Sequence, residues 1–141
     1  MRRLVNSQPV LKAQDFYLLL ALLAFVDKQP KLMAPAVKEF VLHGARYAFP
    51  AAIGAMTGGV PTAYAAPPLN KLIAPSADPS PVWPHAKGSV RGLALTPLYP
   101  TAPAAALRSP VLYENLALFD ALRMGSARER VMAEKLFKER L

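Results

Sequence analysis

With 141 residues the chain has room for one domain and at most an appendage. Hydrophobic residues make up 53% and charged residues 18%, which excludes disorder driven by low hydrophobicity, and the lack of cysteine excludes disulfides, thiolate metal sites and cysteine nucleophiles. Seventeen Lys and Arg against nine Asp and Glu give a net charge of +8, the signature of an anionic partner: nucleic acid, an acidic protein or a membrane face.

The first expected element is a helix from about Val10 to Asp27. Its centre, Phe16 to Val26, is apolar around the whole circumference, as in a helix central to a core or held between partners. Those eleven residues are too few to span a bilayer, which takes roughly 20. Asp15 in front of the run and FVDKQPK behind it do not fit a secretory signal either. A cytoplasmic location and no membrane partner are therefore expected. The helix has more apolar surface than a chain of this size easily hides, which predicts a homodimer.

Pro30 and Pro35 bracket a break, and Pro35 suits the first turn of a second helix. Val37, Phe40 and Val41 give that helix a buried face, and Gly44 is the expected stop. Eleven of the fifteen prolines fall between Pro61 and Pro110. This stretch is non-polar and holds Tyr64, Trp83 and Tyr99, so it is expected to lie over the helices as an ordered, irregular cover. One short strand is expected within it at Ser89 to Leu95, between turn signals at Lys87-Gly88 and Thr96-Pro97. A brief helical turn is expected from Thr101 to Leu107.

The last third is the most explicit. Ser109-Pro110 pairs an N-cap with proline in the first helical position and opens a helix to about Met124, with a stripe of Leu112, Leu116, Phe119 and Leu122. Gly125 ends it. Ser126-Ala127-Arg128-Glu129 matches a capping box and starts a final helix to Leu141, whose apolar face is Val131, Met132 and Leu136. The expected fold is thus mainly α with a small β component, divided into an N-terminal helical part (1–50), a proline-rich segment (51–108) and a C-terminal helical hairpin (109–141).

Chemistry is sparse. Between Glu39 and Glu114 only Asp78 is acidic, which offers no converging carboxylates for hydrolysis or magnesium. Glu129 is accounted for by the cap and Glu134 by pairing with Lys138 one turn on. His43 lies four residues after Glu39, a spacing open to acid–base work, but a histidine near a helix end more often bonds a terminal carbonyl or its carboxylate neighbour. The cluster IGAMTGGVP lacks the Lys-Ser or Lys-Thr of a phosphate loop and reads as a turn. No enzyme, metal or cofactor is expected. Positive charge concentrates at the two ends. Residues 1–46 carry seven cations against three acids, and residues 123–141 carry six against three. Contacts of such groups with phosphates would be salt-sensitive and blind to sequence.

HGARYAFPA (43–51), TAYAAPPL (62–69), PVWP (81–84) and LFDALRMGSARERVMAEKLF (118–137) resemble a group of small bacterial proteins identified as winged-helix or MarR-like transcriptional regulators. The ending is also similar to the C-terminal regions of antitoxin-like winged-helix proteins. The resemblance implies a DNA-binding regulator whose helix-turn-helix follows the first helix, with its second helix in the major groove and a wing after it. Here DKQPKLMA (27–34) leads straight into the second helix, and no recognition helix is visible. Two readings stay open: this chain lacks the reader, or residues are missing between Asp27 and Pro35. Base-contacting residues are therefore not assigned. The expected phosphate contacts are Arg2, Arg3, Lys12, Lys28, Lys31 and Arg46. The alternative is an antitoxin-like or assembly module whose basic surface binds an acidic protein.

Overall fold

The computed structural model describes residues 12–15, 17 and 34–140. Most of the expected first helix, and with it the dimer surface at Phe16 to Val26, lies outside the described residues. Residues 13–15 and 17 are helical.

The second helix runs further than expected. It consists of α1 (Ala34–Glu39), a π-helical turn (Phe40–Gly44) and α2 (Ala45–Ala48) without interruption. Gly44 does not stop it. Its φ is −108°, outside the left-handed region that ends a helix, and the Phe40 ring packs 3.2 Å from where a Cβ would stand. The helix continues because Val41, Leu42 and Ala45 bury together against the core, and the Ala45 N–H closes the wide turn on the Phe40 carbonyl.

The proline-rich segment is more regular than an irregular cover with one strand. Besides the anticipated β3 (Val90–Leu95) it contains β1 (Ile53–Pro61) and β2 (Pro81–Pro84). β1 runs antiparallel to both others, with Val60 opposite Trp83 and Met56 opposite Leu93, while β2 and β3 pair in parallel through Pro81 and Leu93. Each strand bonds both others, so the three close into a ring. The ring is tight enough that a side chain on two of its members would force the backbone to move. A Cβ on Gly59 would overlap the Trp83 carbonyl, and one on Gly92 the Ser80 carbonyl. Composition hid this because the residues that permit the strands to close are glycines, and those that flank them are prolines.

The C-terminal part follows the sequence closely. α3 (Ala102–Arg108) precedes α4 (Pro110–Met124), whose Ser109 cap accepts the Leu112 N–H at 3.3 Å. α5 (Ala127–Lys138) begins with the complete capping box: Ser126 Oγ accepts the Glu129 N–H, and Glu129 Oε2 accepts the Ser126 N–H at 2.7 Å. Two details differ. α4 does not present a single stripe, because every residue from Asn115 to Leu122 is buried. Helices, strands and turns wrap it on all sides, as its low polarity requires. On α5, Val131 is 66% exposed, and the inward face is carried by Ala133 and Phe137 with Met132 and Leu136 beside them.

One core joins the three segments. Tyr17, Val41, Val60, Trp83, Leu116, Phe119 and Phe137 belong to the same apolar cluster. Tyr17 stacks on Tyr99 at 5.2 Å, and Trp83 meets Tyr113 edge-on at 5.8 Å. Among the described residues no helix is long and apolar enough to cross a membrane.

Candidate functional site

Among the described residues the polar group with the most side-chain hydrogen bonds is internal. Asp120, in the middle of α4, is 1% exposed. Its Oδ2 accepts the Thr62 hydroxyl at 2.6 Å and the Trp83 indole N–H at 2.7 Å. Its Oδ1 accepts Nε and Nη2 of Arg123, one turn on, at 3.1 and 2.5 Å. Arg123 lies over the Phe119 ring and also donates to the carbonyls of Phe49, at 3.2 Å, and Thr96, at 3.4 Å. A buried carboxylate with four donors and a buried guanidinium with two further acceptors form a satisfied network. It ties the end of α2, the residue after β1, β2 and the end of β3 to one helix. With Asp120 1% exposed and both of its oxygens bonded within the fold, the network serves to join these elements. The sequence carried a signal for it: an acid inside the run from Leu116 to Leu122, one turn before an arginine.

Four of the other described acids are also bonded within the chain, whereas Glu39, Asp78 and Glu139 are exposed and join no ion pair among the described residues. Glu114 accepts from Arg140 at 2.6 Å, Glu134 pairs with Lys138 at 3.0 Å as expected, Glu129 is taken by the cap, and Asp15 accepts the Lys12 backbone N–H at 3.1 Å. Cations are distributed differently. Lys71, Lys87, Arg91, Arg108, Arg128 and Lys135 are exposed, and among the described residues none of them joins an ion pair. The outer surface is therefore positive because most acids are spent inside or on helix ends, while most cations are not.

Of the expected phosphate contacts, Arg2, Arg3, Lys28 and Lys31 lie outside the described residues. Lys12 is exposed. Arg46 is half-buried, with its guanidinium 4.7 Å over the ring of Tyr47, itself 73% exposed. Glu39 and His43 are both exposed, and no hydrogen bond between them is formed. Among the described residues no three His, Asp or Glu side chains are grouped to hold a metal ion.

Apolar surface collects at a groove of about 320 Å³ lined by Ile53, Tyr64, Pro81, Leu93 and Met124, with Asp78 at its side. Ile53 is 56% exposed there. Tyr64 donates to the Pro79 carbonyl, and its hydroxyl is pushed above the usual phenol range by burial, then by the negative charges of Glu129 and Asp78.

No protein-family model, curated protein or solved structure matches the chain.

Proposed function

We propose that the chain is a non-enzymatic, DNA-binding transcriptional regulator of the winged-helix type, acting through phosphate contacts of its positive surface. One observation supports the reading: among the described residues the exposed Lys71, Lys87, Arg91, Arg108, Arg128 and Lys135 join no ion pair, while Asp120, Glu114, Glu129 and Glu134 are committed to partners within the chain. Such a surface gains affinity for duplex DNA by releasing condensed counterions. Among the phosphate contacts expected from the sequence, Lys12 and Arg46 remain in the proposal, together with Arg2, Arg3, Lys28 and Lys31. A homodimer would match two half-sites of a palindromic operator.

The groove beside Ile53, Leu93 and Met124 favours a second reading, a module that binds an acidic protein and adds apolar contact to charge. Salt separates the two. If four phosphates are met, raising salt from 50 to 200 mM lowers affinity roughly 100-fold. Fluorescence anisotropy with a labelled duplex reads this directly. A chain that leaves the duplex free at 50 mM salt overturns the DNA reading, and a partner complex that persists at high salt supports the second.

A further inference from the structure

Resting on the DNA reading above, we infer that one end of the three-stranded ring is a phosphate slot, floored by Gly58 and walled by His85, Lys87 and Arg91, that grips the backbone of duplex DNA.

The register places these residues together. Gly58 of β1 stands directly opposite Arg91 of β3. On its other side, beyond the Gly59–Pro84 pair, the His85 N–H reaches the Gly58 carbonyl at 3.4 Å. Gly58 therefore lies between two chain segments, each about 5 Å away at the Cα atoms. Cross-strand partners share a face of the sheet, so Arg91 stands over the Gly58 position. Gly58 and Arg91 are both exposed. A Cβ at Gly58 would meet nothing within 4 Å, so the Gly58 position faces open space.

The turn is held, not floppy. The Lys87 N–H donates to Nδ1 of His85 at 3.1 Å, the Gly88 N–H donates to the His85 carbonyl at 3.0 Å, and Gly88 packs on the backbone of Gly59 so closely that a Cβ has no room. The bond to Nδ1 leaves the other ring nitrogen, Nε2, as the polar atom of His85 not committed to the turn. Neither Lys87 nor Arg91 joins an ion pair among the described residues. The one acid between Glu39 and Glu114, Asp78, sits with the apolar groove and Tyr64. Arg91 opposite Gly58 and Lys87 in the turn that packs on Gly59 bring a guanidinium and an ammonium to one end of the ring, and such a pair suits a singly charged phosphodiester.

The slot lies at the end of β3 away from α2 and Arg46. β3 leads from Val90 at the slot to Leu95, and the Arg123 bonds to Thr96 and Phe49 mark the opposite end, next to α2 and Arg46. A grip here fixes the protein on the duplex without reading its sequence.

The test compares wild type, the double variant Lys87→Ala/Arg91→Ala, Gly58→Glu, and Arg128→Ala/Lys135→Ala on α5, using a labelled duplex over a range of salt. All altered positions are exposed, and the melting temperature of each variant checks its fold. The slot predicts that the double variant loses about two from the slope of log affinity against log salt and at least tenfold in affinity at 50 mM. Gly58→Glu, which puts a carboxylate on the floor, should weaken binding as much, and the α5 pair should do less. Wild-type binding with unchanged Lys87→Ala/Arg91→Ala and Gly58→Glu variants overturns the slot and leaves the DNA reading standing. No wild-type binding overturns both. Displacement of the duplex by inorganic phosphate at equal concentration would make the slot a small-anion site and overturn its assignment to DNA.

Discussion

The indole of Trp83 donates its N–H to Oδ2 of Asp120 at 2.7 Å, joining β2 to the centre of α4 across 37 positions of sequence. The acceptor is one carboxylate oxygen shared with the Thr62 hydroxyl, and the other oxygen is held by Arg123. The strand ring is thereby fixed on the helix by bonds that no solvent competes for, at a place where an unpaired charge would be costly.

Asp120→Ala should therefore lower stability by about 3–5 kcal/mol, because Arg123 is left buried with its charge uncompensated. Thr62→Val removes one of four donors to the carboxylate and should cost less, about 1.5–3 kcal/mol. Urea unfolding followed by the fluorescence of Trp83, the chain's single tryptophan, measures both. Equal losses in the two variants would show that Asp120 acts as an ordinary acceptor and not as the centre of the network.

Gly92→Ala and Gly58→Ala make a contrast within one sheet. A Cβ at Gly92 would collide with the Ser80 carbonyl and press on Val82, whereas at Gly58 it meets open space. The first change should cost about 1–3 kcal/mol or more through forced backbone movement, the second about 0.5 kcal/mol or less. Thermal melts of the two variants suffice. A Gly92→Ala chain as stable as wild type would mean that the ring closes less tightly than described.

Helices defined by local chemistry were legible in the sequence, and elements defined by distant contacts were not. Ser109, Pro110, Gly125, Ser126 and Glu129 each act within one turn of where they stand, so α4 and α5 follow from the chain itself. β1 is different. Three glycines and an exposed N-terminal half give it no alternation, and it exists because β2 and β3 close on it from 20 and more residues away. Gly44 misled for a related reason: whether a glycine ends a helix depends on its φ, and here burial of Ala45 carries the helix through. The positive charge was visible from composition, but the imbalance at the surface depends on which acids the fold consumes. The place of Arg91 opposite Gly58 needs the register, which no local pattern encodes.

Ser126→Ala should destabilise the chain by about 1 kcal/mol, since it removes the acceptor of the Glu129 N–H and loosens the reciprocal bond. The loss should be local. Hydrogen exchange is expected to speed up in the first turn of α5 while the amides of α4 from Asn115 to Leu122, buried throughout, keep their protection. Uniform acceleration in both helices would show that the cap supports the whole fold and not one helix end.

Tyr113 supplies an alkaline signature. Its hydroxyl donates to the Pro61 carbonyl at 2.6 Å, and burial holds it above the usual phenol range. The folded chain thus keeps this proton at pH values where the unfolded chain has lost it. The group's contribution to stability is complete below the ordinary phenol pKa, near 10, and is lost as pH rises from there through the raised folded value. Stability of the wild type should fall over that window. Tyr113→Phe should start lower, by about 1 kcal/mol for the missing hydrogen bond, and fall less steeply. Of the five tyrosines, Tyr113 should be among the last to ionise in a spectrophotometric titration of the folded chain. Parallel decline of the two proteins above pH 10 would place the alkaline sensitivity elsewhere, with Tyr64, raised for the same first cause, the next group to replace.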